Sequence, residues 1–475
     1  MFAEHTAGSH QNHTPITQAF AATALTLLAI GCGGASAPKI GTTPQAITFT
    51  NPGTQTAGTS QTLSAKSNSG LAVTFTSATP AICSVSGATA SFTAAGTCTL
   101  NANIAANTTY AAAAPVSQSF TVNPAIPAGT TINIVGYAFL NSSVGNTAAT
   151  LWQLAPGTPT ATATLLPMPG GMTSAMAQSV AVSGSDVYVA GWATNATTGI
   201  ALYWHNGSPI ILPSNLSFSH AYAIAVSGGD VYAVGFEANN SVDGNAMLWV
   251  NGVANPLPLP SGFTDAVASA ITVSGGNVYI AGTAWGGTNG NTAVYWVNGA
   301  PTILAPPSGY TSDYSATGIG VSGGNVYVAG YTQPNSGGGS AILWENSGPP
   351  TALPLPLGVL PEQYGANQIT VSNNNVYVAG GGATGFSTAT AAYWLNGVPT
   401  VLTLPNNLQN TLAVASAAQI ALVGTDLYAA GSFYDTNLGN LQAAAYWVDS
   451  GAATLLPMPT GADEAWANGI AVATQ

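Results

Sequence analysis

The sequence predicts an all-β molecule, a small β-sandwich followed by a seven-bladed β-propeller closed by the C-terminal strand. Three observations lead there. From Thr131 onward the chain repeats a unit of four short apolar–polar strands, with no helical periodicity between them, and four-stranded units of about fifty residues are the mark of propeller blades. Ahead of the repeats, residues 45–123 carry short alternating runs such as "AITFT", "AVTFTS" and "SQSFTV" between turn-formers, the pattern of a small antiparallel sandwich. The last residues, "ANGIAVATQ", match the first strand of a repeat and then stop.

Second strands read "DVYVAG", "DVYAVG", "NVYIAG", "NVYVAG" (twice) and "DLYAAG", ending at Gly191, Gly235, Gly282, Gly330, Gly380 and Gly431, with a degenerate copy, "TINIVGY", at Gly136. Successive glycines lie 44 (Gly191 to Gly235) to 55 (Gly136 to Gly191) residues apart. A tryptophan strand follows each, carrying Trp152, Trp204, Trp249, Trp296, Trp344, Trp394 and Trp447. Then comes a short proline-ended strand such as "ATLLPMP", which belongs on a sheet edge because proline cannot donate to a ladder. At fixed register in every unit, the tryptophans and the tyrosines of strand two are packing residues. A constant alanine in strand one (Ala177, Ala221, Ala268, Ala316, Ala366, Ala417, Ala467) reads as a steric requirement near the axis. The first unit lacks a strand one of its own; the C-terminal residues supply it and close the ring.

The ordering "IAVSGGNVYVAGY" then "YWVNG" and a proline-ended strand resembles the secreted bacterial β-propeller repeat proteins over residues 131–475. That resemblance implies the fold and leaves the activity open, because propellers host many functions. Residues 45–123, with "SGLAVTFTSATPAICSVSG" and "AAGTCTLNA", resemble bacterial Ig-like domains, which implies a spacer or adhesive module. Cys83 and Cys98 lie within it and can pair, a loop whose closure stabilises by roughly 3 kcal/mol. A Pro-containing link, 124–130, separates the two parts.

The third cysteine, Cys32, follows an apolar run from Ala19 that suits a signal-peptide core and is too short to span a bilayer. Gly31 before it and "GGASAP" after it resemble a bacterial lipoprotein cleavage site, although Ala29 stands where leucine is usual and no Lys or Arg precedes the run. Residues 1–31 are therefore expected to be a signal peptide, Cys32 a lipidation site, and 32–44 a linker. Export to the cell envelope or outer surface follows, as does membrane association through the lipid alone.

Charge excludes several classes. The chain has 14 carboxylates, two lysines and no arginine, for a formal net charge of −12. Nucleic acid is excluded as a partner, because its binding rests on Lys and Arg neutralising phosphates. Anionic lipid surfaces are disfavoured likewise. No motif for phosphate, zinc or nucleophilic catalysis is present, so no cofactor is expected beyond weak Ca²⁺ held by loop oxygens.

Two faces of the ring differ. Turns between strands one and two ("SGGD", "SGGN", "SNNN") are tight, and there Asp186, Asp230 and Asp426 are turn-formers. Longer, variable loops all emerge on the opposite face. They carry Phe218, His220, Phe263, Asp265, Tyr310, Asp313, Tyr314, Glu362, Tyr364, Asp463, Glu464 and Trp466, with Glu237, Asp243 and Asp435 nearby. Aromatics mixed with carboxylates on loops of a rigid scaffold are a candidate surface for a glycan or a protein. A monomeric surface-binding protein is the primary expectation. Carboxylate pairs such as Asp313 with Glu362, or Asp463 with Glu464, leave a glycan-cleaving enzyme as the alternative, and a purely structural envelope protein as a third.

Overall fold

A computed structural model of the chain describes residues 41, 43–141, 145–158, 160–239, 244–286, 289–333, 339–356, 363–384, 388–404, 415–435 and 441–474. The apolar leader and Cys32 lie outside the described residues.

The described chain is all β. Residues 47–123 form a sandwich of a four-stranded sheet containing Gly96–Asn103 and Val116–Asn123 and a three-stranded sheet containing Cys83–Ser86 and Thr89–Phe92. Alternate residues of these strands point inward, so Phe92, Leu100, Phe120 and Val122 pack with Phe49 and Leu63 into one core. Cys83 and Cys98 are disulfide-bonded across that core, with their Cα atoms 5.8 Å apart.

The remainder is a β-propeller. Among the described residues it consists of seven four-stranded antiparallel sheets, whose first strands are Glu464–Thr474, Ser174–Ser183, Phe218–Ser227, Asp265–Ser274, Tyr314–Ser322, Gln363–Ser372 and Ala415–Val423. In that order they are called sheets one to seven below. Each first strand packs against the next and that of sheet seven against that of sheet one, so the first strands form a closed inner ring. Sheet one is completed by the chain's end, with Glu464–Thr474 pairing along Thr130–Asn141 from Phe139↔Glu464 to Thr130↔Thr474. A single parallel bridge, Gly199↔Phe218, also joins sheets two and three.

Three repeated residues explain this geometry. Each tryptophan of strand three is fully buried and donates its Nε1–H to a carbonyl just beyond strand four of the preceding sheet. The pairs run from Trp204 to Pro167 (2.7 Å) around to Trp447 and Thr403 (2.8 Å), and Trp152 to Pro457 (2.8 Å) bridges the closure. The leucine before that carbonyl, such as Leu166 or Leu257, is buried and bonds back to its own third strand. Five of the seven carbonyls belong to prolines, so those fourth strands stop where their prolines begin to serve the neighbour. The constant alanine is buried and precedes a β-bulge in every sheet, between Ala177 and Ser179 or Ala316 and Gly318, for example. Opposite the alanine stands the recurrent glycine. A Cβ on Gly235 or Gly282 would run into the carbonyl oxygen of His220 or Val267, the residue before the bulged alanine. Glycine is required there by close backbone approach, and the bulge re-aims one residue per sheet. The strand-two tyrosines pack less deeply than the tryptophans; Tyr428 is buried, whereas Tyr188 and Tyr327 are half-buried.

Candidate functional site

The re-aimed residues are Gln178, Tyr222, Ser269, Thr317, Asn367, Ala418 and Asn468, one from each sheet. All seven line an axial cavity of about 690 Å³, together with Trp466, Ser416, Ser432 and Gln442. Trp466, Ser432 and Gln442 place its mouth on the face that carries the long loops. A second axial cavity of about 270 Å³ lies toward the tight-turn face and shares Ser179, Gln368 and Gln419 with the first. No Asp, Glu, His, Lys or Arg is among the residues lining either cavity.

Hydrogen bonds fix which way the amides of this lining point. Asn367 Nδ2 donates to Ala417 O at 2.7 Å and to Ser416 Oγ at 2.9 Å, and Asn468 Nδ2 donates to Ala177 O at 3.0 Å. Thr317 Oγ1 donates in the same way to the Ala366 carbonyl at 2.6 Å. Each bond crosses to the constant alanine (or its neighbour) in the next sheet, so in sheets one, five and six the bulged residue is also an inter-sheet clip. A carbonyl accepts only from an N–H or O–H, so the Asn367 and Asn468 amide oxygens are the atoms left over as acceptors. The glutamines are oriented oppositely. Gln419 Oε1 accepts from Ile470 N–H and Gln368 Oε1 from Ile369 N–H, both at 3.0 Å. Their NH₂ groups are therefore the atoms left over as donors. Gly318 makes room for one of them, since a Cβ there would lie 2.7 Å from Gln368 Oε1.

Aromatic rings flank the mouth on two sides. Trp466 stacks on Tyr137 with ring centroids 5.1 Å apart and meets Phe139 at 5.2 Å. Tyr222 stands against Phe236, Trp192 and His220, and His220 stacks on Trp192 at 4.4 Å. Burial in this cluster lowers the His220 pKa to about 4 and raises that of Tyr222 to about 12, so both rings are neutral near pH 7.

The loop residues singled out from sequence have varied fates. Trp466 lines the cavity, and His220 backs Tyr222. Phe218 sits at the head of its strand with its ring against Gly199. Phe263 and Tyr310 pack against the cores between neighbouring sheets. Tyr314 is buried, and its hydroxyl donates to Leu304 O at 3.3 Å. Asp265 accepts from Gly244 N–H (3.0 Å) and the Thr264 hydroxyl (2.6 Å), tying a loop of sheet three to sheet four. Asp313 occupies a left-handed turn position (φ 66°) and accepts from the Ser312 hydroxyl. Glu237 is buried and holds Ser214 and Asn215. Asp463 is exposed, its backbone N–H bonded to Phe139 O. Glu464, two residues from Trp466, has its pKa raised by burial and by neighbouring Asp463. Asp243, Glu362 and the side chains of Tyr364 and Asp435 lie outside the described residues. Sequence reasoning missed the bulged ring. Its signal was present, as one position directly after the constant alanine that changes from Gln to Tyr, Ser, Thr, Asn and Ala while its neighbour never changes.

No family model matches the chain, and no curated protein matches it in sequence. Among solved structures it is similar to an ulvan lyase described as a polysaccharide lyase (TM-score 0.38, 11% identity, covering 58% of this chain and 81% of that one). It is also similar to a puromycin-hydrolysing peptidase of Mycobacterium tuberculosis (0.42, 13%, 71% and 54%) and to a thermostable family-43 glycoside hydrolase (0.31, 13%, 49% and 94%).

Proposed function

We propose that the protein is an exported binding protein whose axial cavity takes a neutral, hydroxyl-rich ligand, a saccharide. The observation that carries this reading is the lining itself. It combines uncharged donors and acceptors from all seven sheets with aromatic surface from Trp466 and Tyr222. Sugars are bound by that combination, with C–H faces on aromatic rings and hydroxyls on a few well-placed polar groups. Acidic sugars find no cationic partner among the residues lining this cavity, which include no Lys or Arg. In this reading the seven sheets are the blades of a seven-bladed propeller. Residues 45–123 are an Ig-like mount, and lipidated Cys32 holds the protein at the envelope, where a monomer displays the loop face to glycans. A free spacer role for the sandwich fits less well than a docked one, because Asn123 bonds Thr454 in sheet seven (3.4 Å).

The test is binding of the full-length protein to a panel of neutral glycans (amylose, cellulose, laminarin, mannan, galactan and chitin fragments), read by calorimetry. At least one should bind, with affinity falling tenfold or more in Trp466→Ala and Gln178→Ala. Binding insensitive to both substitutions, or none at all, overturns the assignment. One feature favours cleavage as a second reading, the raised pKa of Glu464 beside Asp463 and near Trp466. It predicts released oligosaccharide that disappears in Glu464→Gln.

A further inference from the structure

Resting on the saccharide reading, we infer that the cavity receives the end of a glycan chain, inserted along the propeller axis, and does not clasp the middle of a strand. The two axial cavities meet at Ser179, Gln368 and Gln419, which belong to the lining of both. At the level of these residues the upper space meets the lower. Above that level the walls come from all seven sheets, so the upper cavity is enclosed around its whole circumference and opens along the axis. A polysaccharide lying across the face has no groove with two open ends to run through; a terminal sugar can enter from above.

The polar atoms are layered to suit such a terminus. Deepest are the NH₂ groups of Gln368 and Gln419, whose oxygens are committed to Ile369 and Ile470 N–H. One layer nearer the mouth are the amide oxygens of Asn367 and Asn468, whose nitrogens are committed to Ala417 and Ala177 carbonyls. Donors below and acceptors above match a terminal ring, whose adjacent hydroxyls or acetamido group each donate and accept. Trp466 at the mouth then covers the ring's apolar face or that of the next sugar.

The test uses each neutral glycan of the panel intact and after partial hydrolysis to fragments about tenfold shorter, titrated into full-length protein at equal mass of sugar. End-on entry predicts that binding capacity per gram of glycan rises about tenfold with the number of chain ends. Gln419→Glu and Gln368→Glu keep the acceptor oxygen for the backbone N–H but remove the donors; each should weaken binding tenfold or more with an unchanged melting temperature. Capacity per gram that is the same before and after hydrolysis, with Trp466→Ala still defective, overturns end-on entry and leaves saccharide binding standing. No glycan binding sensitive to Trp466→Ala overturns both.

Discussion

At the scale of single residues, the glycine ending each second strand and the alanine facing it act as a pair. The bulge after the alanine pushes the preceding carbonyl toward strand two, and glycine alone leaves that carbonyl its space. Gly282→Ala is therefore expected to destabilise by about 1–3 kcal/mol, the usual cost of forced overpacking. The check is a lowered urea midpoint with an unchanged m-value. The same substitution should widen or twist the bulge at Ser269 and so disturb the cavity wall. Both members of this pair were visible in the sequence as constants of the repeat, but only as constants. The bulge itself is a backbone event between two strands, and its only trace in the sequence is a variable position after a constant alanine, which is why the side chains it presents went unread. Loop carboxylates and aromatics stood out instead, and Asp265, Asp313 and Tyr314 turn out to hold loops and cores together. Polar residues in a loop satisfy local backbone groups as readily as they meet a ligand, and sequence alone does not separate the two.

At the scale of the element, sheets two to six each tie their two tight turns together with one asparagine. Asn206, in a left-handed turn between strands three and four (φ 49°), accepts Val187 N–H at 2.9 Å and donates to Asp186 Oδ1 at 2.8 Å. Asn251 does the same with Val231 and Asp230, and Asn298 with Val278 and Asn277. The reading of Asp186 and Asp230 as turn-formers was available from their exchange with asparagine among the repeats. Sheet seven breaks the pattern. Asp449 replaces the asparagine, still accepts Leu427 N–H at 3.0 Å, but has no N–H to offer Asp426. Burial raises the Asp426 pKa from its ordinary value, and the charge of Asp449 raises it further. A carboxyl whose folded pKa exceeds its unfolded one loses stability as pH rises through that interval, because the folded state then holds more protons than the unfolded state. Asp449→Asn is expected to raise stability at pH 7 by a few tenths to about 1 kcal/mol, as for a largely exposed charge pair. The gain should shrink to near zero at about pH 3, where Asp426 is protonated in both states. Thermal melts at the two pH values check it, and an equal gain at both removes the charge explanation.

At the scale of the whole molecule, the ring has one seam, and three features converge on it. The C-terminal strand pairs with Thr130–Asn141 along its length, Trp152 reaches across to Pro457, and the sandwich docks alongside. Ile126, in the link after the sandwich, is buried with Trp152 and Leu154 of sheet one and with Tyr428 and Tyr446 of sheet seven. Closure was legible from the sequence because an orphan first strand at one end and a missing one at the other can only complete each other. Docking of the sandwich was not, because it depends on Asn123 and Ile126, residues with no distinguishing pattern. Deleting residues 464–474 would strip sheet one of its inner strand, leave the ladder of Thr130–Asn141 unpaired on its axial side, and uncover Ile132 and Ile134, both now fully buried. The same deletion removes Asn468 and Trp466 from the cavity. We expect the propeller to lose its cooperative melting transition or to melt far lower, as followed by calorimetry. Poor folding of a truncated chain could have other causes, so a second variant isolates closure. Residues 464–474 are moved ahead of Thr130 and joined to it by "SGGN", the tight turn that links first to second strands in other sheets. Sheet one then has the connectivity of its six neighbours, and only the covalent position of its first strand has changed. If pairing of that strand is what closes the ring, the rearranged chain regains a cooperative transition close to the original. A truncated chain that melts as the intact one does would mean the seam holds without its strand, through Trp152 and the sandwich alone.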